Sequence, residues 1–184
     1  MRSGQSKRPA AFLDRDGVLN VDTGYVHNID QLEWVAGAPE AVRLLNEAGY
    51  TVIVVTNQAG IARGLYDEAA VHQVHAHMQN VLKAKGAHVD AFYYCPHHPE
   101  GMISKFALVC QCRKPGTGML DQAAREWPID REHSFLIGDR DGDMEAAAAF
   151  KIRGVKFDQK ADSLIGVVRR ELSAQLGQAI PPSK

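Results

Sequence analysis

The sequence predicts an α/β protein built on a parallel sheet, and two features of its 184 residues support this. Short apolar runs alternate with longer segments whose apolar residues recur at helical spacing, the pattern of consecutive βαβ units. Residues 52–55 form a continuous β-branched run, as expected of a central strand that is covered on both faces. We therefore expect a Rossmann-like sheet with helices on both of its faces.

Each predicted element follows from a local signal. Pro39 in a first turn and Gly49 as a stop mark one helix, and Asp67 as a cap and Gly86 as a stop mark the next. Apolar runs mark the strands, and helical spacing marks the remaining helices. Strands are predicted over 10–13, 52–55, 89–94, 135–137 and 155–157, and helices over 39–48, 67–86, 117–127, 143–150 and 162–176.

Composition predicts one soluble domain over residues 1–184, with its core at about 9–178 and a disordered tail at 179–184. A net charge of -1 does not favour nucleic acid or an anionic membrane as partner. No apolar run approaches the ~20 residues that span a bilayer. The apolar stretch after the cationic start is too short for a signal peptide, so we expect a cytoplasmic monomer.

Polar motifs follow three of the predicted strands. They are Asp14-Arg15-Asp16-Gly17, Thr56-Asn57-Gln58 and Gly138-Asp139-Arg140, and the basic pair Arg113-Lys114 precedes a helix. Open α/β sheets bind ligands at the carboxyl ends of their strands, so we expect these groups to meet at one edge. Taken singly, an Asp before a Gly is more often a turn residue, but the ordered set favours a site.

A calcium loop is the competing interpretation of the acids at 139, 141 and 143. That loop requires a glycine after its third acid, and Met144 stands there instead.

Together the motifs resemble those of the haloacid-dehalogenase superfamily of phosphatases, over about residues 12–147. The matching stretches are Asp14-Arg15-Asp16-Gly17-Val18-Leu19, Thr56-Asn57-Gln58, Lys114, and Gly138-Asp139 with Asp143. The resemblance implies that Asp14 is a nucleophile that forms an aspartyl-phosphate and that Asp16 is the general acid and base. Thr56 and Lys114 would stabilise the transferring phosphoryl group.

A magnesium ion is also implied, because a phosphate dianion repels a carboxylate nucleophile and oxygen ligands suit a hard cation. By resemblance its ligands are Asp14, Asp139 and the backbone carbonyl of Asp16, with Asp143 behind them. Superfamily members commonly carry Lys after the metal-binding Asp, whereas this chain carries Arg140.

Three further stretches carry a closer resemblance within the superfamily, and they are residues 20–27, 56–64 and 110–115. They resemble phosphatases that remove the 7-phosphate of heptose 1,7-bisphosphate in lipopolysaccharide precursor synthesis. The connections leave no room for a large cap domain, so surrounding loops would set specificity. The expected substrate-binding residues are Asp22, Thr23, Gly24, Tyr25, Asn57, Gln58, Ala59, Arg63, Arg113 and Arg140.

Three other functions remain open. The phosphatase half of histidine-biosynthesis enzymes shares many of the same residues, which leaves histidinol phosphate as an alternative substrate. A polynucleotide 3′-phosphatase shares the stretch from Thr56 to Ile61. The non-enzyme alternative is a zinc-stapled module that binds phosphosugars.

The three cysteines lie within one 18-residue stretch, which in a cytosolic chain indicates metal binding rather than disulfides. Structural zinc takes four Cys or His ligands in a tetrahedron. Resemblance selects Cys95, His97, Cys110 and Cys112, although local spacing alone would also allow His98. Four protein ligands leave no position for water, so we expect this zinc to fix a loop rather than to join the chemistry.

Overall fold

The computed structural model describes residues 6–178, and side chains up to residue 175. Five strands form one parallel sheet in the order β3-β2-β1-β4-β5. The strands are β1 (Arg8–Leu13), β2 (Thr51–Asn57), β3 (Ala91–Cys95), β4 (Ile129–Gly138) and β5 (Arg153–Lys156). The predicted fold class is therefore confirmed, and the predicted tail at 179–184 lies outside the described residues.

Five α-helices alternate with the strands or follow them. They are α1 (Ala38–Glu47), α2 (Glu68–Ala84), α3 (Gly118–Glu126), α4 (Asp141–Phe150) and α5 (Leu164–Gln178). Asp67 caps α2 by accepting a hydrogen bond from the backbone N–H of Ala70, as its position predicted. Among the described residues, no helix combines the length and apolar character needed to cross a bilayer.

Strand β4 is the element whose prediction was least accurate. It begins at Ile129, six residues before the predicted start. The prediction missed this first half because residues 130–133 are polar or charged and include no apolar run. Its pairing with β1 is irregular between Pro9 and Ala11, which separates this polar half from the buried half. A short 3-10 helix at Ile29–Gln31 was also not predicted.

Two apolar layers cover the sheet, as the continuous β-branched run predicted. Side chains of Ala11, Leu13, Val52 and Val54 pack with helices α1, α2 and α5 on one face. Their neighbours along the same strands pack with α3 and α4 on the other face, and these are Ala10, Phe12, Ile53 and Val55. Strands β1 and β2 are thus buried on both faces, and this packing holds their carboxyl ends in place.

The connections reverse direction at β1. Strands β2 and β3 lie on one side of it and β4 and β5 lie on the other, so the carboxyl ends of β1 and β4 are adjacent at a topological switch point. The backbone N–H of Asp14 donates to the carbonyl of Ile137 over 3.0 Å. Residues that immediately follow β1 and β4 are therefore brought together by backbone pairing alone.

Candidate active site

Three carboxylates meet at the switch point. Asp14 follows β1, Asp139 follows β4, and Asp143 lies in the first turn of α4; one oxygen of each lies within 4.8 Å of the others. The backbone N–H of Arg140 donates to Asp143 over 3.0 Å and holds it in place. A Cβ on Gly17 would clash with the carboxyl group of Asp139, so a glycine is required there.

Lys114 is buried at the centre of this cluster. Its Nζ lies 3.0 Å from Oδ2 of Asp14 and 2.6 Å from Oδ1 of Asp143, and it donates to the carbonyl of Val55 over 2.8 Å. Asn57 fixes the backbone of Lys114 by two hydrogen bonds, one donated and one accepted, of 3.1 and 3.0 Å. The last residues of β2 thus hold Lys114 in place by hydrogen bonds, although it is distant from them in the sequence.

The charges in this cluster do not balance. Burial raises the pKa of Asp14 to about 6, although Lys114 lowers it, and burial also raises the pKa of Asp139. Burial lowers the pKa of Lys114, but the carboxylates of Asp14 and Asp143 raise it more, so it stays protonated. Asp14 and Asp143 therefore share the ammonium group of Lys114, while Asp139 lies 3.9 Å from Nε of the largely exposed Arg140. Carboxylates still outnumber the buried cation, so the site favours a further cation.

Asp16 is held away from this cluster by nitrogen donors. Arg15 has a fully buried guanidinium, and its Nη2 lies 2.9 Å from both carboxylate oxygens of Asp16. Asn20 donates to Oδ1 over 3.0 Å and Gln58 donates to Oδ2 over 2.9 Å. These hydrogen bonds fix the position and orientation of the Asp16 carboxyl group.

Only one orientation of the Gln58 amide fits its surroundings. Its nitrogen donates to the Asp16 carboxylate and, over 2.9 Å, to the hydroxyl of Thr56. Its oxygen accepts from Arg15 over 3.3 Å and from the hydroxyl of Tyr66 over 2.8 Å. Because a guanidinium can only donate and a carboxylate can only accept, the reverse orientation would lose both contacts.

A cavity of about 450 Å³ opens above these groups. Of the predicted substrate-binding residues, Thr23 is exposed and lies outside the lining. Asp139 is not part of the lining, and its carboxyl group lies next to Gly17. The lining consists of Asp14, Asp16, Asp22, Gly24, Tyr25, Thr56, Asn57, Gln58, Ala59, Arg63, Tyr66, His98, Arg113, Lys114, Arg140, Gly142 and Asp143.

Sequence reasoning missed several of these contributors. Tyr66 and His98 belong to connecting loops whose path the sequence does not define. Arg15 lay inside a recognised motif, and its position between two acids was the signal that could have identified it as a buried partner.

Two contacts join the segments around the cavity. Arg140 donates to Asp22 over 2.7 Å, both residues line the cavity, and the side chain of Arg140 is largely exposed. Outside the lining, the N–H groups of Met102 and Ile103 both donate to the carbonyl of Ala62, over 2.7 and 2.9 Å. The loop between Cys95 and Cys112 therefore packs directly on the turn that carries Arg63.

The predicted zinc ligands converge beside this cavity. Sulfur atoms of Cys95, Cys110 and Cys112 lie 3.0 to 3.5 Å from one another, and Nδ1 of His97 lies 3.2 Å from the sulfur of Cys112. All four ligand atoms lie within 4.8 Å of one another, so the group could hold one metal ion. His98, the alternative by spacing, lies in the cavity wall instead.

The fold and site define a class, the phosphatases of the haloacid-dehalogenase superfamily, because the motifs of that superfamily occupy one sheet edge. The family model of polynucleotide kinase 3 phosphatase matches residues 11–163. The chain therefore belongs to the polynucleotide kinase 3 phosphatase family.

The relatives with high sequence identity are named for one enzymatic activity. The D-glycero-β-D-manno-heptose-1,7-bisphosphate 7-phosphatase of Rhodopseudomonas palustris is 45% identical over 158 residues, covering 86% of this chain and 88% of the relative. That of Salmonella typhi is 49% identical over 144 residues, covering 78% and 77%. The structure of D,D-heptose 1,7-bisphosphate phosphatase from B. bronchiseptica, complexed with magnesium and phosphate, is 30% identical and superposes with a TM-score of 0.75, covering 90% and 99%.

Replacing Gly17 tests the contact with Asp139. Gly17 and Gly24 have nearly equal φ values of 84° and 86°, but nothing lies within 4 Å of a Cβ on Gly24. We expect Gly24→Ala to lower the free energy of unfolding by about 1 kcal/mol, the cost of left-handed backbone for alanine. We expect Gly17→Ala to cost about 1–3 kcal/mol more, because the new methyl group overpacks the site. Urea denaturation measures both, and equal losses would contradict the contact.

Proposed function

We propose that this chain is a divalent-cation-dependent phosphatase that hydrolyses the 7-phosphate of D-glycero-β-D-manno-heptose 1,7-bisphosphate, in lipopolysaccharide precursor synthesis. The observation that carries the chemistry is the excess of buried carboxylate around Lys114 at the switch point of the sheet. The names of the relatives from R. palustris and S. typhi support the choice of substrate.

The residues fit a magnesium ion. Oxygen ligands suit a hard cation, and Oδ1 of Asp139 is buried without a hydrogen-bond partner among the described residues. Asp14, Asp139 and the backbone carbonyl of Asp16 would hold the ion. When bound, it neutralises charge on the phosphate and on the carboxylates. The relative from B. bronchiseptica, which was crystallised with magnesium and phosphate, supports this assignment.

Asp14 is the nucleophile in the first step. Its carboxylate attacks phosphorus, the bond to the sugar oxygen breaks, and a phospho-aspartate forms on Asp14. Lys114 and Thr56 hold the phosphoryl oxygens, and their placement is fixed before substrate binds because Asn57 and Gln58 anchor them. Asp14 must be ionised to attack, so the cation also serves to lower its pKa.

Asp16 transfers the protons. In the first step its protonated carboxyl donates to the departing sugar oxygen, and in the second its carboxylate accepts a proton from the attacking water. The donors from Arg15, Asn20 and Gln58 orient the carboxyl group of Asp16. In the first step one oxygen must leave a donor and turn to the sugar oxygen.

The Cys/His cluster is proposed to bind structural zinc. Three thiolates and one imidazole match the ligand types and number of such sites and leave no position for water. Cys112 immediately precedes Arg113 and Lys114 in the chain, so fixing the cysteine restricts both cationic residues. The zinc would shape the substrate site without taking part in the reaction.

A sugar bisphosphate fits the cavity in size, and arginines are available for its second phosphate. The cavity volume of about 450 Å³ lies in the range of small-molecule sites. Arg63, Arg113 and Arg140 add positive charge in the lining, beyond the groups on the reacting phosphate. Polynucleotide 3′-phosphatase is the second candidate, because of the family description. The near-neutral charge disfavours it, since strand binding relies on basic grooves.

Substrate comparison with Asp14→Asn tests the proposal. We expect phosphate release from heptose 1,7-bisphosphate with a kcat/KM at least about tenfold above those for histidinol phosphate and a 3′-phosphorylated oligonucleotide, a discrimination of about 1.4 kcal/mol. Asp14→Asn should abolish release while circular dichroism shows a retained fold, because no nucleophile remains. A preference for either competing substrate would contradict the assignment, and residual turnover by the variant would exclude the covalent mechanism.

Magnesium affinity should depend on pH. A ligand must be deprotonated to bind metal, and without metal the pKa of Asp14 is about 6. As the pH falls from 7 to 5, we therefore expect the apparent affinity for Mg²⁺ to fall about tenfold through this group. Isothermal titration calorimetry measures the change, and Asp14→Asn should flatten it. Constant affinity across this range would contradict the assignment of Asp14 as a ligand.

The substitution Cys112→Ser tests the proposed zinc site. We expect it to lower bound zinc from about one ion per chain towards none, because serine replaces a thiolate ligand. KM for the bisphosphate should rise as Arg113 loses its anchor. Asp139→Asn is the matched control, which should keep zinc and lose magnesium-dependent turnover. Metal analysis by mass spectrometry measures zinc, and full zinc content in the cysteine variant would contradict the assignment of Cys112 as a zinc ligand.

A further inference from the structure

His98 directly follows a proposed zinc ligand but belongs to a different site. The cluster contains Nδ1 of His97, whereas the side chain of His98 lines the cavity together with Arg113. Consecutive histidines therefore face separate sites, and the second has no part in the chemistry described above.

The hydrogen bonds of His98 determine which nitrogen carries its proton. Nδ1 accepts from the backbone N–H of Glu100 over 3.1 Å. A backbone amide can only donate, so Nδ1 carries no proton and the neutral ring is protonated at Nε2. Among residues 6–178, Nε2 of His98 has no hydrogen-bond partner. The cavity wall thus contains an uncharged N–H donor that no group in the described part of the chain accepts from.

The backbone around His98 is held firmly in place. Its N–H donates to the carbonyl of Phe106 over 3.1 Å, and its carbonyl accepts from Gly101 over 2.9 Å. Gly101 in turn packs so closely on Ala62 that an added Cβ would lie 2.8 Å from the Ala62 Cβ. Because the ring is fixed before any ligand binds, a hydrogen bond to Nε2 costs little additional ordering.

We propose that His98 is a specificity-determining residue, whose Nε2–H donates to an uncharged oxygen of the sugar in the substrate. The inference rests on the proposed function and adds the group that forms a hydrogen bond to the sugar itself. Lys114 and Thr56 serve the reacting phosphate, and Arg113 suits a second charged group. A neutral donor is matched instead to a hydroxyl or ring oxygen, so His98 favours polyhydroxylated phosphate esters over simple aryl phosphates.

Two substitutions test the roles of the two ring nitrogens of His98 separately. His98→Asn can still accept from Glu100 through its amide oxygen but has no donor at the Nε2 position. We expect its KM for heptose 1,7-bisphosphate to rise about three- to tenfold, the effect of one neutral hydrogen bond, with kcat changed less than about twofold. The ratio of kcat/KM for the bisphosphate to that for phenyl phosphate should fall by the same factor. His98→Gln, which returns an amide N–H near Nε2, should recover part of the loss.

Controls separate this role from damage to the metal loop. Zinc content of both variants should match that of the unsubstituted protein. His88→Asn is the matched control, because His88 is exposed before β3, at the opposite end of the sheet from the cavity. It should leave both kcat/KM values unchanged.

Several outcomes would overturn the inference. These are an unchanged KM in His98→Asn, an equal loss on both substrates, or a loss of zinc from that variant. Failure of the proposed function gives a different result, in which the unsubstituted protein hydrolyses phenyl phosphate but not heptose bisphosphate. The same variants are then compared on whichever sugar phosphate it hydrolyses, where an unchanged specificity ratio again overturns the role of His98.

Discussion

The buried ammonium group of Lys114 is the constraint on which the rest of the site depends. A charge without water needs partners, and here they come from Asp14, Asp143 and the carbonyl of Val55. These groups belong to segments that follow β1, begin α4 and end β2, so one side chain ties three elements together. Removing Lys114 would leave the buried carboxylates of Asp14 and Asp143 without their ammonium partner, so the arrangement depends on this one side chain.

Backbone topology explains why so much of this site could be predicted from the sequence. Asp14, Thr56 and Asp139 each follow a recognisable strand, and a parallel sheet collects the ends of its strands at one edge. Lys114 was noticed as half of a basic pair before a predicted helix, and the resemblance supplied its role, because no periodic pattern places a loop residue. The start of β4 was missed since its first half is exposed and polar, and its pairing with β1 depends on partners distant in sequence.

The polar network around Asp16 shows what such reasoning cannot supply. Tyr66 reaches Gln58 from a turn eight residues later, and Gly60 is required because a Cβ there would clash with the Tyr66 ring. Thr23 lies next to lining residues but is turned to solvent. Side-chain direction in a loop depends on the whole surrounding packing rather than on neighbouring residues, so these positions became known only from the structure.

The two contacts that join the segments around the cavity differ in strength. The carbonyl of Ala62 accepts two backbone hydrogen bonds, and separating that seam would leave several polar groups without partners. The pair of Asp22 and Arg140 joins a largely exposed guanidinium to a carboxylate in contact with water, where such pairs are worth at most about 1 kcal/mol. The ion pair of Asp22 and Arg140 is therefore the weaker of the two contacts, and the loop that carries the Cys/His cluster is the more firmly held.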